Sequence, residues 1–251
     1  MHDVLIALLV LACLLAASFG SRTLYERVPE RHRVGDTEDT VRLFANFFVV
    51  MASLVIGLML NTAKNTFESV DKNVHAYATE LILFDRTMKH YGPETAGARR
   101  SLLAYTEQAA ARMEQSDAVL SSRTAESLLR GAGDIIRALK PADDDHNYLK
   151  QHLEDRFGKI YEMRWALVEQ SEGSLPAALI VMVILWLVLI FASYGFRAPH
   201  NIVVGTSFVV SSILVAGAIY LILDMDVPFD GMIQVSPAPL QRAVAELRLA
   251  P

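Results

Sequence analysis

The chain has 251 residues, a formal net charge of −5 and a single cysteine. The negative charge and the lack of a clustered basic tract argue against a nucleic-acid-binding protein. One cysteine excludes intrachain disulfides and cysteine-based zinc sites. Hydrophobic residues make up 53% of the chain and charged residues 20%, and the apolar residues are segregated into four blocks. Such segregation is typical of an integral membrane protein.

The first apolar block, Val4–Gly20, reaches the lower length limit for a helix that spans a bilayer. No positive charge lies in Met1-His2-Asp3, and no clear small-x-small cleavage site precedes Ser21. We therefore predict an unprocessed transmembrane helix rather than a signal peptide. Cys13 is interpreted as a small apolar residue inside this span.

The second block, Leu43–Leu60, carries a candidate pore-lining face. One helical face presents an apolar stripe that leads to a polar and a basic residue, in the order Phe47, Met51, Leu54, Leu58, Asn61 and Lys64. An apolar ring of this kind can gate a pore by dewetting, with the basic residue at its entrance. Ordinary helix packing produces the same stripe, so both interpretations stay open.

The polar region that follows is predicted to be entirely helical. The second span continues without a strong stop signal to Tyr91, and apolar residues in this stretch alternate at steps of four and three, at Val70, Val74, Tyr77, Leu81, Phe84, Met88 and Tyr91. We predict further helices over about 94–115 and 124–140, and a last one with Asp145 as N-cap. The stripes predict a four-helix antiparallel core or, alternatively, a seam shared between subunits.

Two uncharged runs, Leu175–Phe196 and Ile202–Leu223, are separated by only five residues. Each has about 22 residues, enough to cross a hydrocarbon core of about 30 Å, so the pair predicts a transmembrane hairpin. The predicted fold is all-α, an integral membrane protein with four transmembrane helices. Its predicted parts are helices one and two (1–61), a helical extramembrane domain (62–174), the hairpin (175–223) and an acidic, proline-rich C-terminal segment (224–251).

Three carboxylates, Asp224, Asp226 and Asp230, follow the fourth span within seven residues. Hard cations such as Ca²⁺ bind several carboxylate and carbonyl oxygens, which makes this segment a weak candidate cation site. Its spacing differs from that of an EF-hand. The favoured interpretation is that Asp224 and Asp226 cap the span and bind backbone groups or arginine.

Four spans place both termini and the extramembrane domain on the same side of the membrane. Basic residues favour the cytoplasmic side, and they follow the first helix and flank the second and third, at Arg22, Arg27, Arg31, Arg33, Arg42 and Arg197. We therefore expect an inner-membrane protein with the helical domain and both termini in the periplasm.

Motifs of enzymes are missing from the sequence: it has no P-loop, no glycine-rich dinucleotide turn, no His-Glu-x-x-His and no nucleophile elbow. We expect no catalytic residue and no cofactor. None of the four apolar runs contains Asp, Glu, Lys or Arg, which argues against a proton-coupled transporter.

Three segments of the second half, Ile190–Asn201, Ala218–Gly231 and Ile233–Leu240, resemble a bacterial membrane family known as bestrophin-like. Weaker similarity extends through Leu81–Arg99. The shared motif positions are Pro199, Asn201, Asp224, Asp226, Pro228, Phe229, Gly231, Pro239 and Leu240. Family members commonly have Pro-Arg-Asn in the hairpin, whereas this chain has His200 there and an arginine at 197.

The resemblance implies a homo-oligomeric channel, because bestrophins are pentameric anion channels whose second transmembrane helix lines an apolar neck. Chloride or another inorganic anion would then be the permeant species, and the lipid bilayer the surrounding partner. Calcium gating carries over poorly, since only Asp230 stands where animal bestrophins have an acidic run. Bestrophins also keep the large domain in the cytosol, contrary to the arginine distribution. The alternative hypothesis is a non-conducting, membrane-anchored helical scaffold or stress-response module.

Overall fold

The computed structural model describes residues 2–25, 35–114, 123–171, 173–196, 198–199 and 201–249. Within these ranges the regular secondary structure is helical, which confirms the predicted all-α fold. The helices are α1 (His2–Tyr25), α2 (Gly35–Tyr91), α3 (Ala96–Glu114), α4 (Arg123–Ala138), α5 (Asp144–Glu169), α6 (Ala177–Gly195), α7 (Ile202–Asp226) and α8 (Ala238–Leu249). One 3-10 turn, Pro93–Thr95, precedes α3.

Two compact units make up the structure. The membrane unit consists of Met1–Asn65 and Ser174–Asp226, and the helical unit consists of Thr66–Gly173 and Val227–Pro251. The boundary at Asn65 falls inside the 57-residue helix α2. Residues 227–251, which we predict from the sequence to be part of a separate C-terminal segment, belong to the helical unit because α8 contributes Leu240, Ala243 and Leu247 to its core.

In the membrane unit, four helices are long and apolar enough to cross a bilayer. On α1, Val10, Leu14 and Ser18 follow one another at intervals of four residues, and all three are buried. They therefore form one helix face, along which α1 contacts α6 and α7. The rest of the core comes from α2, α6 and α7. The opposite sides of these helices leave large apolar residues exposed, as a bilayer allows.

The predicted seam of α2 forms the centre of the helical unit. All seven residues of that seam, from Val70 to Tyr91, are at most 3% exposed. They belong to one apolar cluster with residues of α3, α4, α5 and α8. The heptad spacing therefore correctly predicts the buried face. It ends where Gly92 adopts a positive φ of 128°, a conformation that glycine reaches without steric cost.

Two buried carboxylates inside the helical unit are neutralised by basic side chains. Glu80, 5% exposed, accepts hydrogen bonds from Arg156 and Lys159. The Arg99 guanidinium donates to the buried Asp85 carboxylate at 2.8 Å. Separating the partners would leave a buried charge uncompensated, which is costly. These contacts therefore favour the observed alignment of α2 with α3 and with α5.

A buried polar contact links three helices of the same unit. The hydroxyl groups of Tyr77 and Tyr105 share a hydrogen bond, and the side chain of Arg164 bonds to Tyr105. Burial raises the pKa of Tyr105 to about 12, so the phenol stays protonated and able to donate. No sequence pattern singles out Arg164, since one arginine in an apolar stripe is usually exposed.

The start of α5 differs from the sequence prediction. Asp143, not Asp145, is the N-cap, and its carboxylate accepts a hydrogen bond from the backbone N–H of His146. Asp145 lies inside the first turn. Three consecutive aspartates satisfy the preference for an acidic cap equally well, so the sequence does not distinguish among them.

Candidate functional site

The membrane part of α2 has a buried face of small residues. Ala45, Ala52, Met59 and Ala63 are at most 2% exposed. Their spacing of seven and four residues places them on one side of the helix. Three of them are alanines, which allow neighbouring backbones to approach closely, as is common in membrane helix packing. This face joins the core of the membrane unit.

The opposite face of α2 carries the residues that the sequence predicts to line a pore. Phe47, Leu54 and Leu58 are 59–60% exposed. At about 100° per residue they lie roughly half a turn from the alanines. Met51 is half-buried at the side of this stripe, and Asn61 is exposed beyond it. Lys64 is also exposed, about a quarter turn from the stripe. The stripe is therefore the more exposed side of the membrane part of α2.

Polar groups in the spans are mostly bonded within their own helix. Ser53 donates to the Val49 carbonyl at 2.7 Å, and Ser207 donates to the Val203 carbonyl at 2.9 Å. Asn46 is different, because its side-chain oxygen accepts a hydrogen bond from the Tyr194 hydroxyl of α6 at 3.1 Å. Asn46 thus connects two helices.

Asp226 has a defined structural role at the end of α7. Its carboxylate accepts hydrogen bonds from the Ser174 hydroxyl at 2.7 Å and from the Leu175 backbone N–H at 3.0 Å. Both donors lie just before α6, so Asp226 fixes the chain where it enters the hairpin. Asp224 is 1% exposed and accepts from the Tyr220 hydroxyl at 3.0 Å.

The next motif residues shape the start of the C-terminal segment. Pro228 is buried and its carbonyl accepts from the Val235 N–H at 3.0 Å, which closes a loop. Phe229 packs against the core of the helical unit. Gly231 adopts φ 103°, a region that favours glycine, and its N–H donates to the Asp230 carboxylate. Pro239 and Leu240 are buried in the first turn of α8.

The hairpin turn contains two motif positions that the structure describes. Asn201 lies immediately before α7, where its side-chain oxygen accepts a hydrogen bond from the Val203 N–H. Its own N–H donates to the Pro199 carbonyl at 2.8 Å. Asn201 therefore begins the fourth span as its N-cap. Arg197 and His200, where the chain departs from the family pattern, lie outside the described residues.

Across the described ranges, no group of three or more His, Cys, Asp and Glu side chains is arranged to hold a metal ion. Asp224 and Asp226 are engaged by protein donors. The weak candidate cation site at Asp224, Asp226 and Asp230 thus gains no support, and the capping interpretation fits the observed contacts.

A family model described as "Bestrophin-like domain" matches residues 12–240. The chain belongs to the bestrophin-like family. This confirms the resemblance found in the hairpin and in the segment after it. The comparison with curated proteins gives no match.

Solved structures of a bacterial bestrophin homologue from Klebsiella pneumoniae share the fold of this bestrophin-like chain. A tyrosine-to-alanine variant aligns with a TM-score of 0.67 at 16% identity, covering 97% of this chain and 98% of that chain. A tryptophan-to-alanine variant gives 0.67 at 15% identity, covering 100% and 98%. A structure phased with zinc gives 0.64 at 16% identity, covering 98% and 97%.

Proposed function

We propose that this bestrophin-like protein is a homo-oligomeric anion channel in which α2 lines the pore, and that it is not an enzyme. The observation that carries the proposal is the two-faced α2. One face is buried among the other spans, whereas Phe47, Leu54 and Leu58 on the other face are 59–60% exposed. A ring of subunits would bring the apolar stripes together around a central axis. Bestrophins supply the analogy for a pentamer with an apolar neck.

In such a ring the stripe would form a dewetting constriction. A water column between apolar walls is unstable when the passage is narrow, so a ring of Phe47, Leu54 and Leu58 would oppose ion passage until it widens. Asn61 and Lys64 follow the stripe toward the extramembrane side. A ring of lysines there would favour anions such as chloride at the entrance.

The oligomeric state and the flux together test the proposal. Native mass spectrometry from a mild detergent should give a single closed ring, five subunits by the bestrophin analogy. The purified protein in liposomes should then carry chloride, detected with an anion-quenched dye inside the vesicles. A monomer or dimer in the membrane would leave α2 with no axis to surround and would refute the pore. The non-conducting scaffold would then be the better account.

We also propose a multi-pass location in the bacterial inner membrane, with the helical unit and both termini in the periplasm. The arginines after α1 and at the hairpin support this orientation. A cysteine introduced at the exposed Asp144 in a Cys13→Ser background tests it with a membrane-impermeant maleimide. Labelling that requires permeabilisation of the inner membrane would place the helical unit in the cytosol, as in bestrophins.

A further inference from the structure

A cleft of about 560 Å³ lies in the membrane unit between the end of α1 and the start of α7. Phe19, Ile202 and Val209 form its apolar walls. Arg22, Asn201 and Thr206 supply its polar groups, and Gly205 leaves part of the wall without a side chain. The proposed pore makes no use of this cleft, and of its lining residues only Asn201 has a role described above, as the N-cap of α7.

Arg22 is the charged group of the cleft. It lies in the last turn of α1, and its Nε atom is shielded from solvent yet has no hydrogen-bond partner among the described residues. A buried donor without a partner costs free energy comparable to a lost hydrogen bond. The residue as a whole is only half-buried and lines the cleft, so an anion there would accept charge-assisted hydrogen bonds from the accessible part of the guanidinium, whose planar fork suits such an acceptor.

The position of the cleft along the spans indicates which chemical class of ligand can reach it. Arg22 lies two residues before the end of the apolar stretch Asp3–Leu24, and Ile202 begins the apolar stretch Ile202–Asp226. The cleft therefore lies where two spans reach the membrane surface, the depth at which lipid headgroups meet acyl chains. Its walls continue down α7 to Val209, two turns below the surface.

We propose that this cleft binds an anionic phospholipid, with the phosphate on Arg22 and one acyl chain along Phe19, Ile202 and Val209. A free anion would use Arg22 but would leave the apolar wall uncovered. A zwitterionic lipid would cover the wall but would bring a cation close to the guanidinium. Only an anionic lipid matches both the charge and the apolar surface.

Native mass spectrometry of the full-length, delipidated protein titrated with phosphatidylglycerol or phosphatidylcholine tests the inference. Phosphatidylglycerol should bind more tightly than phosphatidylcholine. Arg22→Gln should weaken phosphatidylglycerol binding about tenfold, the effect of losing one charge-assisted contact, and should leave phosphatidylcholine binding unchanged. Arg22→Lys should retain part of the preference because it keeps the charge without the fork.

A matched pair of glycine variants tests the apolar wall. A Cβ added at Gly205 or Gly217 would have no atom within 4 Å, so both positions open onto free space where a side chain can begin. Gly205 lines the cleft, whereas Gly217 lies elsewhere on α7 and does not. Gly205→Leu should weaken the binding of both lipids by filling the cleft, and Gly217→Leu should weaken neither.

Four results would overturn the inference. Equal affinity of the wild-type protein for the two lipids, or unchanged phosphatidylglycerol binding in Arg22→Gln, would remove the charge argument. Displacement of phosphatidylglycerol by millimolar inorganic phosphate would identify a site for free phosphate instead. A change of oligomeric state in Arg22→Gln or Gly205→Leu, with lipid binding unaltered, would show that a second copy of the chain covers the cleft.

Discussion

Gly195, the last residue of α6, lies directly against the backbone of Ser18 in α1. A Cβ added to Gly195 would clash with the Ser18 carbonyl oxygen and would lie 2.5 Å from the Ser21 hydroxyl. No side chain fits in that space, so α1 and α6 approach this closely only because residue 195 is glycine. Ser18 is 1% exposed and its hydroxyl bonds back to the Leu14 carbonyl, so the hydroxyl is satisfied at the crossing.

We expect Gly195→Ala to destabilise the membrane unit by about 1–3 kcal/mol, since the neighbouring atoms are mainly backbone and cannot move aside easily. Thermal unfolding of the protein in detergent measures the effect. Gly217→Ala on α7 is the control, because nothing lies within 4 Å of its added Cβ. Equal unfolding temperatures for the two variants would show that α1 and α6 separate at no cost.

A second prediction concerns Asp226 at the entrance to the hairpin. Asp226→Ala removes the acceptor of the Ser174 hydroxyl and of the Leu175 N–H, and we expect a loss of about 1–3 kcal/mol in the free energy of unfolding. Asp230→Ala should cost less, because Asp230 is exposed and, among the described residues, its carboxylate accepts a hydrogen bond only from the adjacent Gly231 N–H.

Thermal unfolding in detergent, which measures this loss, also distinguishes capping by Asp226 from cation binding. If Asp226 acts as a cap, neither millimolar Ca²⁺ nor a chelator should change the unfolding temperature of the wild-type protein. A calcium-dependent rise that disappears in Asp226→Ala would instead restore the cation site, since a ligand that binds only the folded state stabilises it.

A third prediction is a pH-dependent contribution of His146 and Asp143 to the stability of the helical unit. The Asp143 carboxylate lies 2.6 Å from His146 Nδ1, and this hydrogen bond raises the pKa of His146. Glu94 and Asp145 act in the same direction. The backbone N–H of His146 is the main cause that lowers the pKa of Asp143.

The two shifts define a pH window. The His146 contribution is complete below its ordinary pKa of about 6.5 and is lost as the pH rises through the raised value. The Asp143 contribution is present above its ordinary pKa and is lost as the pH falls through the lowered value. The unfolding temperature of the wild-type protein should therefore be higher than that of His146→Gln mainly at mildly acidic pH. A difference independent of pH would contradict the ion pair.

The sequence predicts the four spans and the α2 seam because both depend on apolar residues at regular spacing. The hairpin follows from length alone, since five residues connect two runs that each cross a bilayer. The motif after α7 points to the family through residue identity alone, without any knowledge of its contacts.

Other features depend on contacts that spacing does not encode. The crossing at Gly195 is set by a backbone oxygen of α1, far away in sequence. Helix α8 is short, and its apolar residues Leu240, Ala243 and Leu247 follow a proline-rich stretch that favours a loop interpretation. The cleft at Arg22 combines residues at the end of α1 with residues at the start of α7, which are far apart in the sequence.

The last prediction tests the apolar stripe of α2 as a constriction. If the stripe encircles a pore, Phe47→Ala and Leu54→Ala should raise chloride conductance in planar bilayers, because smaller side chains widen the passage and lower the barrier to hydration. Leu54→Asn should raise it further, since a polar side chain holds water in the neck. Leu214→Ala on α7 is the matched control, because Leu214 is 68% exposed and lies outside the stripe. Equal conductance in Leu54→Ala, Leu214→Ala and the wild-type protein would exclude a neck at this position, whatever the number of subunits.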